Sequence, residues 1–219
     1  MLRAAVFDLD HTLFDPCTLP PSLFGALEAR LRLAATGVVS PAALEVVLAD
    51  AWKLPFDRVA ALHQLPAELT TTWQEAMSMV EVSEPLMPYP DVYAGLEQLS
   101  LTRFLLTTGF RRLQESKVRQ LGLTSLFAAI YIDALDPPGP VGKRAMLERL
   151  LVERALTPPE VVVVGDRADD ELAAARALGM VAVQVVRPGV SPSPDIPWRV
   201  QDLQDLPALF TRVVAAGAA

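Results

Sequence analysis

At 219 residues the chain is long enough for one large domain, or one domain carrying an insert, and needs no disulfide or structural metal to be stable. A net charge of −7 with no compensating basic cluster argues against a nucleic-acid partner. Apolar residues make up 52%, yet no run approaches the ~20 uninterrupted apolar residues of a membrane span, and the single cysteine, Cys17, excludes an intrachain disulfide.

The first element is a short apolar run, residues 4–7, that reads as a buried strand. It follows Met1-Leu2-Arg3 with no long apolar leader, so a cytoplasmic location is expected. The strand leads into Asp8-Leu9-Asp10-His11-Thr12-Leu13-Phe14. Alternation along a strand would send Asp8 and Asp10 to the same side. Two adjacent carboxylates repel in a low-dielectric site unless a cation lies between them or one holds a proton. A Mg²⁺ ion meets the first condition, being hard and bound through one or two carboxylates.

Pro16, Pro20 and Pro21 break the strand, and the spacing is then helical as far as Glu84. Leu23, Leu27, Leu31 and Ala34 form one apolar stripe, and Ser40-Pro41 opens a helix over 42–53. Two more helices are expected over 55–64 and 66–82. Phe14, Trp52, Phe56 and His63 could line a ligand site there, but packing inside the insert is the simpler reading, and His63 receives no role. The proline-rich stretch 85–90 reads as a linker. The expected division is a core of residues 1–14 and 86–219 and a helical cap of residues 15–85.

Past the linker, helix and strand alternate. A helix over 91–100 precedes a strand at 103–106 and the loop Thr107-Thr108-Gly109. A basic helix over 111–121 stops at Gly122. A strand at 128–132, a helix over 142–156 and four consecutive valines at 161–164 follow, the valines marking a strand buried on both faces. A helix over 171–178 stops at Gly179, and a strand occupies 181–186. Residues 187–198 form a proline-rich loop before a last strand and helix near 198–200 and 206–214. This order predicts an α/β domain with a doubly wound, Rossmann-like parallel sheet.

Ligands of such sheets bind beyond the carboxyl ends of the strands. Standing there are Asp8 and Asp10, Thr107-Thr108-Gly109, Gly142-Lys143 and the run Gly165-Asp166-Arg167-Ala168-Asp169-Asp170-Glu171. Each has an ordinary explanation alone, as a turn, a solvated lysine or acidic charge at a helix start. Their convergence on one sheet edge is what calls for a site.

The order of these motifs resembles the haloacid dehalogenase-like (HAD) superfamily, most of whose members are phosphatases. Asp8-Leu9-Asp10-His11-Thr12 matches its Asp-x-Asp-x-Thr motif, and Phe104-Leu105-Leu106-Thr107 its strand ending in Thr or Ser. Lys143 matches its helix-opening lysine, without the usual following proline. The strand from Val161 to Asp166 matches its Gly-Asp motif, with Asp170 or Glu171 as the further acid. Thr108 stands where the family often has Asn. The helical block between the first two motifs is similar to the family's cap of the first type.

The resemblance implies a Mg²⁺-dependent phosphatase acting on a small phosphorylated metabolite. Asp8 would attack phosphorus to give an aspartyl-phosphate, and Asp10 would serve as acid and then base. Thr107, Thr108, Gly109 and Lys143 would hold the phosphoryl group. Asp8, the Asp10 carbonyl and Asp166 would hold the metal, with Asp170 or Glu171 behind them. A phosphomutase, a haloacid dehalogenase and a non-catalytic binding protein on the same fold stay open as alternatives, as do the substrate and the oligomeric state.

Overall fold

A computed structural model of the chain describes residues 1–51 and 56–217. Trp52 lies outside the described residues, as does the side chain of Phe56, so the expected helices around 42–53 and 55–64 are described only in part. In chain order the elements are β1 (Ala4–Phe7), α1 (Gly25–Ala34), α2 (Pro41–Ala51), α3 (Phe56–Leu62), α4 (Ala67–Ser78) and α5 (Val92–Glu97). There follow β2 (Thr102–Gly109), α6 (Arg111–Gln120), β3 (Ala129–Ala134), α7 (Lys143–Arg154) and β4 (Val161–Gly165). The chain continues through α8 (Glu171–Ala177), β5 (Val181–Val185), β6 (Trp198–Val200) and α9 (Leu206–Gly217).

The strands form one parallel sheet in the order β3-β2-β1-β4-β5-β6. The chain winds outward from β1 to β3, then restarts at β4 on the other side of β1, so the topological switch point lies between β1 and β4. In register, Phe7 stands level with Leu105 and Val164, which brings the ends of three strands to one edge. The valines of β4 are β-branched and no more than 1% exposed, each contributing roughly 2 kcal/mol by burial. One face of the sheet, including Val6, Leu106 and Val163, packs on Leu147 of α7 and Leu172 of α8. Phe14 is fully buried, so it belongs to the core and not to a ligand site.

The expected loop Thr107-Thr108-Gly109 is strand. Its residues are turn formers, but β3 extends alongside and supplies the ladder, pairing Thr107 with Ile132, Thr108 with Asp133 and Gly109 with Ala134. Near the start of the insert, residues 21–24 form a 3₁₀ turn before α1, where one continuous helix was expected.

The chain divides into two compact units, Met1–Thr18 with Glu84–Ala219, and Leu19–Ser83. Every regular element described in the second unit is helical. Its core gathers Leu31, Leu44, Val47, Val59 and Leu69 from four helices. There His63 Nε2 lies 2.8 Å from Asp50 Oδ2, a tie between neighbouring helices. No helix among the described residues is long and apolar enough to cross a membrane.

Candidate active site

Asp8 follows β1 and is fixed at the switch point, where its N–H donates to the Val164 carbonyl at 2.9 Å. Lys143 Nζ lies 2.5 Å from Asp8 Oδ1 and also donates to the Leu106 carbonyl at 2.9 Å. Lys143 is buried and Asp8 half-buried. A residue not singled out from the sequence puts Lys143 there. Asp133, buried at the end of β3, accepts from the N–H groups of Val141 and Gly142 at 2.8 and 3.0 Å. Gly142 has φ +92°, a left-handed conformation in which glycine is at no disadvantage, and α7 starts at the next residue.

Asp8 and Asp10 lie close enough for the Asp10 charge to help raise Asp8, but they do not share a partner. Strand alternation ends at Phe7, because the Leu9 carbonyl accepts from the N–H groups of Thr12, Leu13 and Phe14 and turns the chain. His11 takes φ +57° within that turn, an uncommon conformation for a residue with a Cβ. Asp8 thus meets Lys143 of α7 while Asp10 meets Lys117 of α6. Lys117 Nζ donates to Asp10 Oδ1 and Oδ2 at 3.0 and 2.9 Å. Gln114 Nε2 lies 3.2 Å from Asp10 Oδ2, 2.6 Å from Thr107 Oγ1 and 3.1 Å from the Thr108 carbonyl. Gly109 leaves room for this amide, since a Cβ there would come within 2.8 Å of Gln114 Cδ.

Neither Gln114 nor Lys117 was found from the sequence, although a signal exists. Leu113, Lys117 and Leu121 are four apart, which places the lysine inside an apolar stripe, and all three are buried.

At the end of β4 the two candidate acids differ in burial. Glu171 is 2% exposed, and its Oε1 accepts from the Arg167 N–H at 2.8 Å. Asp170 is more exposed and lies 3.7 Å from the Arg167 guanidinium. Glu171 can fold over the strand end because residue 165 is glycine; a Cβ there would lie 2.7 Å from Glu171 Cγ. Asp166 opens onto a cleft of about 450 Å³ that it lines with His11, Asp15, Gln184 and Ser191.

These groups carry surplus negative charge. Burial, together with the Asp8 charge, pushes Glu171 up to about 8, and the same two causes push Asp166 up to about 6. Burial likewise raises Asp8 above the ordinary carboxylate range, against the pull of Lys143. Burial alone would lower Lys143, but Asp8, Glu171 and Asp170 outweigh it and hold the ammonium charged. Such a site favours an added cation. Among the described residues no three acidic, His or Cys side chains form a ready-made metal cage. Mg²⁺ binds through one or two carboxylates and keeps its waters. Asp8, Asp166 and the Asp10 carbonyl are the groups that would hold it.

A second missed group secures the loop itself. Arg187, buried and stacked 4.2 Å over the Tyr89 ring, donates Nε and Nη2 to the Thr12 carbonyl at 3.1 and 2.9 Å. Its Nη1 pairs with buried Asp91 at 2.9 Å, and Asp91 also accepts from the Leu203 N–H at 2.7 Å.

A family model described as haloacid dehalogenase-like hydrolase matches residues 2–179. The chain is 33% identical over 112 residues to a glyceraldehyde 3-phosphate phosphatase of Methanopyrus kandleri, an overlap of 47% of this chain and 45% of that protein, so under half of the relative is matched. In fold it is similar to a HAD phosphatase from Thermococcus onnurineus, with TM-score 0.64 and 20% identity over 95% of this chain and 98% of that one. It is also similar to a 2-haloacid dehalogenase from Pseudomonas syringae pv. Tomato, with TM-score 0.59 and 21% identity over 97% and 100% of the two chains. The family match spans most of the chain and the motif residues meet at one sheet edge; the chain belongs to the haloacid dehalogenase-like hydrolases.

Proposed function

We propose that the protein is a Mg²⁺-dependent phosphatase that hydrolyses a small phosphate monoester. The observation that carries this reading is the crowding of carboxyl groups, buried Glu171 and half-buried Asp8 and Asp166, about Asp8 and its partner Lys143. A dehalogenase needs no cation and would leave that crowding without a use. When bound, Mg²⁺ would supply the positive charge that lets an anionic nucleophile approach an anionic ester.

The protein's own groups then divide the work. An Asp8 oxygen bonds to phosphorus as the ester P–O bond breaks, giving an aspartyl-phosphate. Lys143 and the Thr107 hydroxyl bind phosphoryl oxygens, whose charge they offset. Asp10 gives a proton to the departing alkoxide, then takes one from the water that attacks the aspartyl-phosphate and frees phosphate and Asp8. Selection of the leaving group is assigned to the helical insert.

The test is phosphate release from p-nitrophenyl phosphate and from a panel of small phosphorylated metabolites that begins with triose phosphates. Turnover that requires Mg²⁺ and vanishes in Asp8→Asn is expected. Turnover that survives chelation or the Asp8→Asn change, or metal-free halide release from a 2-haloacid, overturns the reading. If no ester on the panel turns over, a Mg²⁺-dependent beryllofluoride adduct on Asp8 is expected, and its absence overturns the reading too.

A further inference from the structure

The contacts of Asp10 go further than the family motif, which says nothing about what holds this carboxylate. We infer that Lys117 and Gln114 are positioning residues that fix Asp10 for proton exchange and tie it to the phosphate-binding Thr107. The inference rests on the phosphatase reading above. An ionised carboxylate offers about four lone-pair positions. Lys117 donates to both oxygens and the Gln114 amide lies 3.2 Å from Oδ2, so the position with no donor beside it among the described residues is on Oδ1. That leaves Oδ1 as the atom that gives its proton to the alkoxide as the P–O bond breaks. It then accepts the proton of the water whose oxygen bonds to phosphorus.

Gln114 makes the arrangement a single unit. Its Nε2 has two hydrogens for three acceptors, Thr107 Oγ1, Asp10 Oδ2 and the Thr108 carbonyl, and these lie on β2 and on the turn after β1. Its Oε1 is buried without a partner, so the amide is held by what its nitrogen donates to. The two residues are three apart on α6 and share a face. The part-buried ion pair Lys117–Asp10 is poor value as a source of stability, since apolar replacements of such pairs often do as well. Fixing one carboxylate oxygen against a phosphate-binding hydroxyl is a use that apolar packing cannot supply.

The experiment compares an alkyl phosphate, whose leaving group needs a proton, with p-nitrophenyl phosphate, whose leaving group does not. Lys117→Met is expected to lower kcat on the alkyl ester about 100-fold while the stopped-flow burst of p-nitrophenolate falls less than tenfold, with KM changed less than threefold. Gln114→Leu should show the same bias at about a tenth of the size. In crystal structures of both variants the Asp10 carboxylate should leave its present position, with the Asp8–Lys143 contact kept. Equal losses on the two esters would show a merely structural role and overturn the inference, as would an unmoved Asp10 in both variants. Failure of the phosphatase reading looks different: the unaltered protein itself would then release phosphate without metal or without Asp8, or form no beryllofluoride adduct.

Discussion

Two aspartates two residues apart on one loop each pair with a buried lysine, and the pairs differ in almost everything else. Asp8–Lys143 is short and sits among Asp166, Asp170 and Glu171, so its surroundings are too negative for one ammonium. Asp10–Lys117 is shared with a neutral amide and has an open oxygen position. The first pair asks for a further cation and suits a nucleophile that must meet an anion. The second is complete apart from one lone pair and suits a carboxylate that trades a proton. The lesson is that the partner of each aspartate, more than the aspartate itself, separates the two roles.

The largest expected effect breaks the first pair. Asp8→Asn should lower steady-state phosphate release at least 10⁴-fold, with a far-ultraviolet circular dichroism spectrum like that of the unaltered protein. Stability should hold because the change removes charge from a site with too much of it. Residual activity within tenfold of the native protein would sink the assignment.

Next, Lys143→Met should cost about 10³-fold in kcat/KM on alkyl and aryl esters alike, since phosphate contacts serve both. A bias toward one ester would erase the contrast with Lys117. The two glycines sharpen the comparison further. Gly165→Ala pushes on Glu171 and should raise the Mg²⁺ concentration for half-maximal activity about tenfold, whereas Gly109→Ala pushes on Gln114 and should leave that concentration alone while lowering kcat on alkyl esters about tenfold. Metal titrations of the two variants that coincide would contradict the division.

The smallest effect is on stability. Glu171 rises from 4.5 to about 8 on folding, so the folded protein holds a proton that the unfolded chain releases. Its contribution favours folding below the ordinary carboxylate range and is lost as pH rises through about 8. Glu171→Gln removes that dependence. Urea unfolding of the metal-free protein should therefore show the variant gaining on the native chain between pH 5 and 8, by on the order of 2 kcal/mol. Added Mg²⁺ should shrink the gain. A variant that loses ground as pH rises would reverse the sign and refute the account.

The nucleophile side of the site was legible in the sequence. Four valines and the short run before Asp8 could only be buried strands, and motif order brought Thr107, Lys143 and Asp166 to the same edge. The acid–base side was not. Residues 111–121 read as a basic helix, and only the placement of Lys117 between Leu113 and Leu121 betrayed its burial. Gln114 gives no periodic signal, because its value lies in contacts to residues on β2 and after β1. The alternation rule could not supply the separate partners of Asp8 and Asp10, because the Leu9 carbonyl already ends the strand. Asp170 and Glu171 are adjacent and chemically alike, so only burial could separate them. Arg187 and Asp91 pair across 96 residues, a distance that no local pattern spans.

That last pair bears on how the protein is made. The turn after β1 is made 175 residues before Arg187, which grips its Thr12 carbonyl, and Asp91, which steadies Arg187, is itself bonded to Leu203. A nascent chain can thus pair β1 with β2 and β3 while its nucleophile loop still lacks these bonds. A chain that stops before Arg187 carries Asp8 on a turn whose Thr12 carbonyl lacks both of these donors.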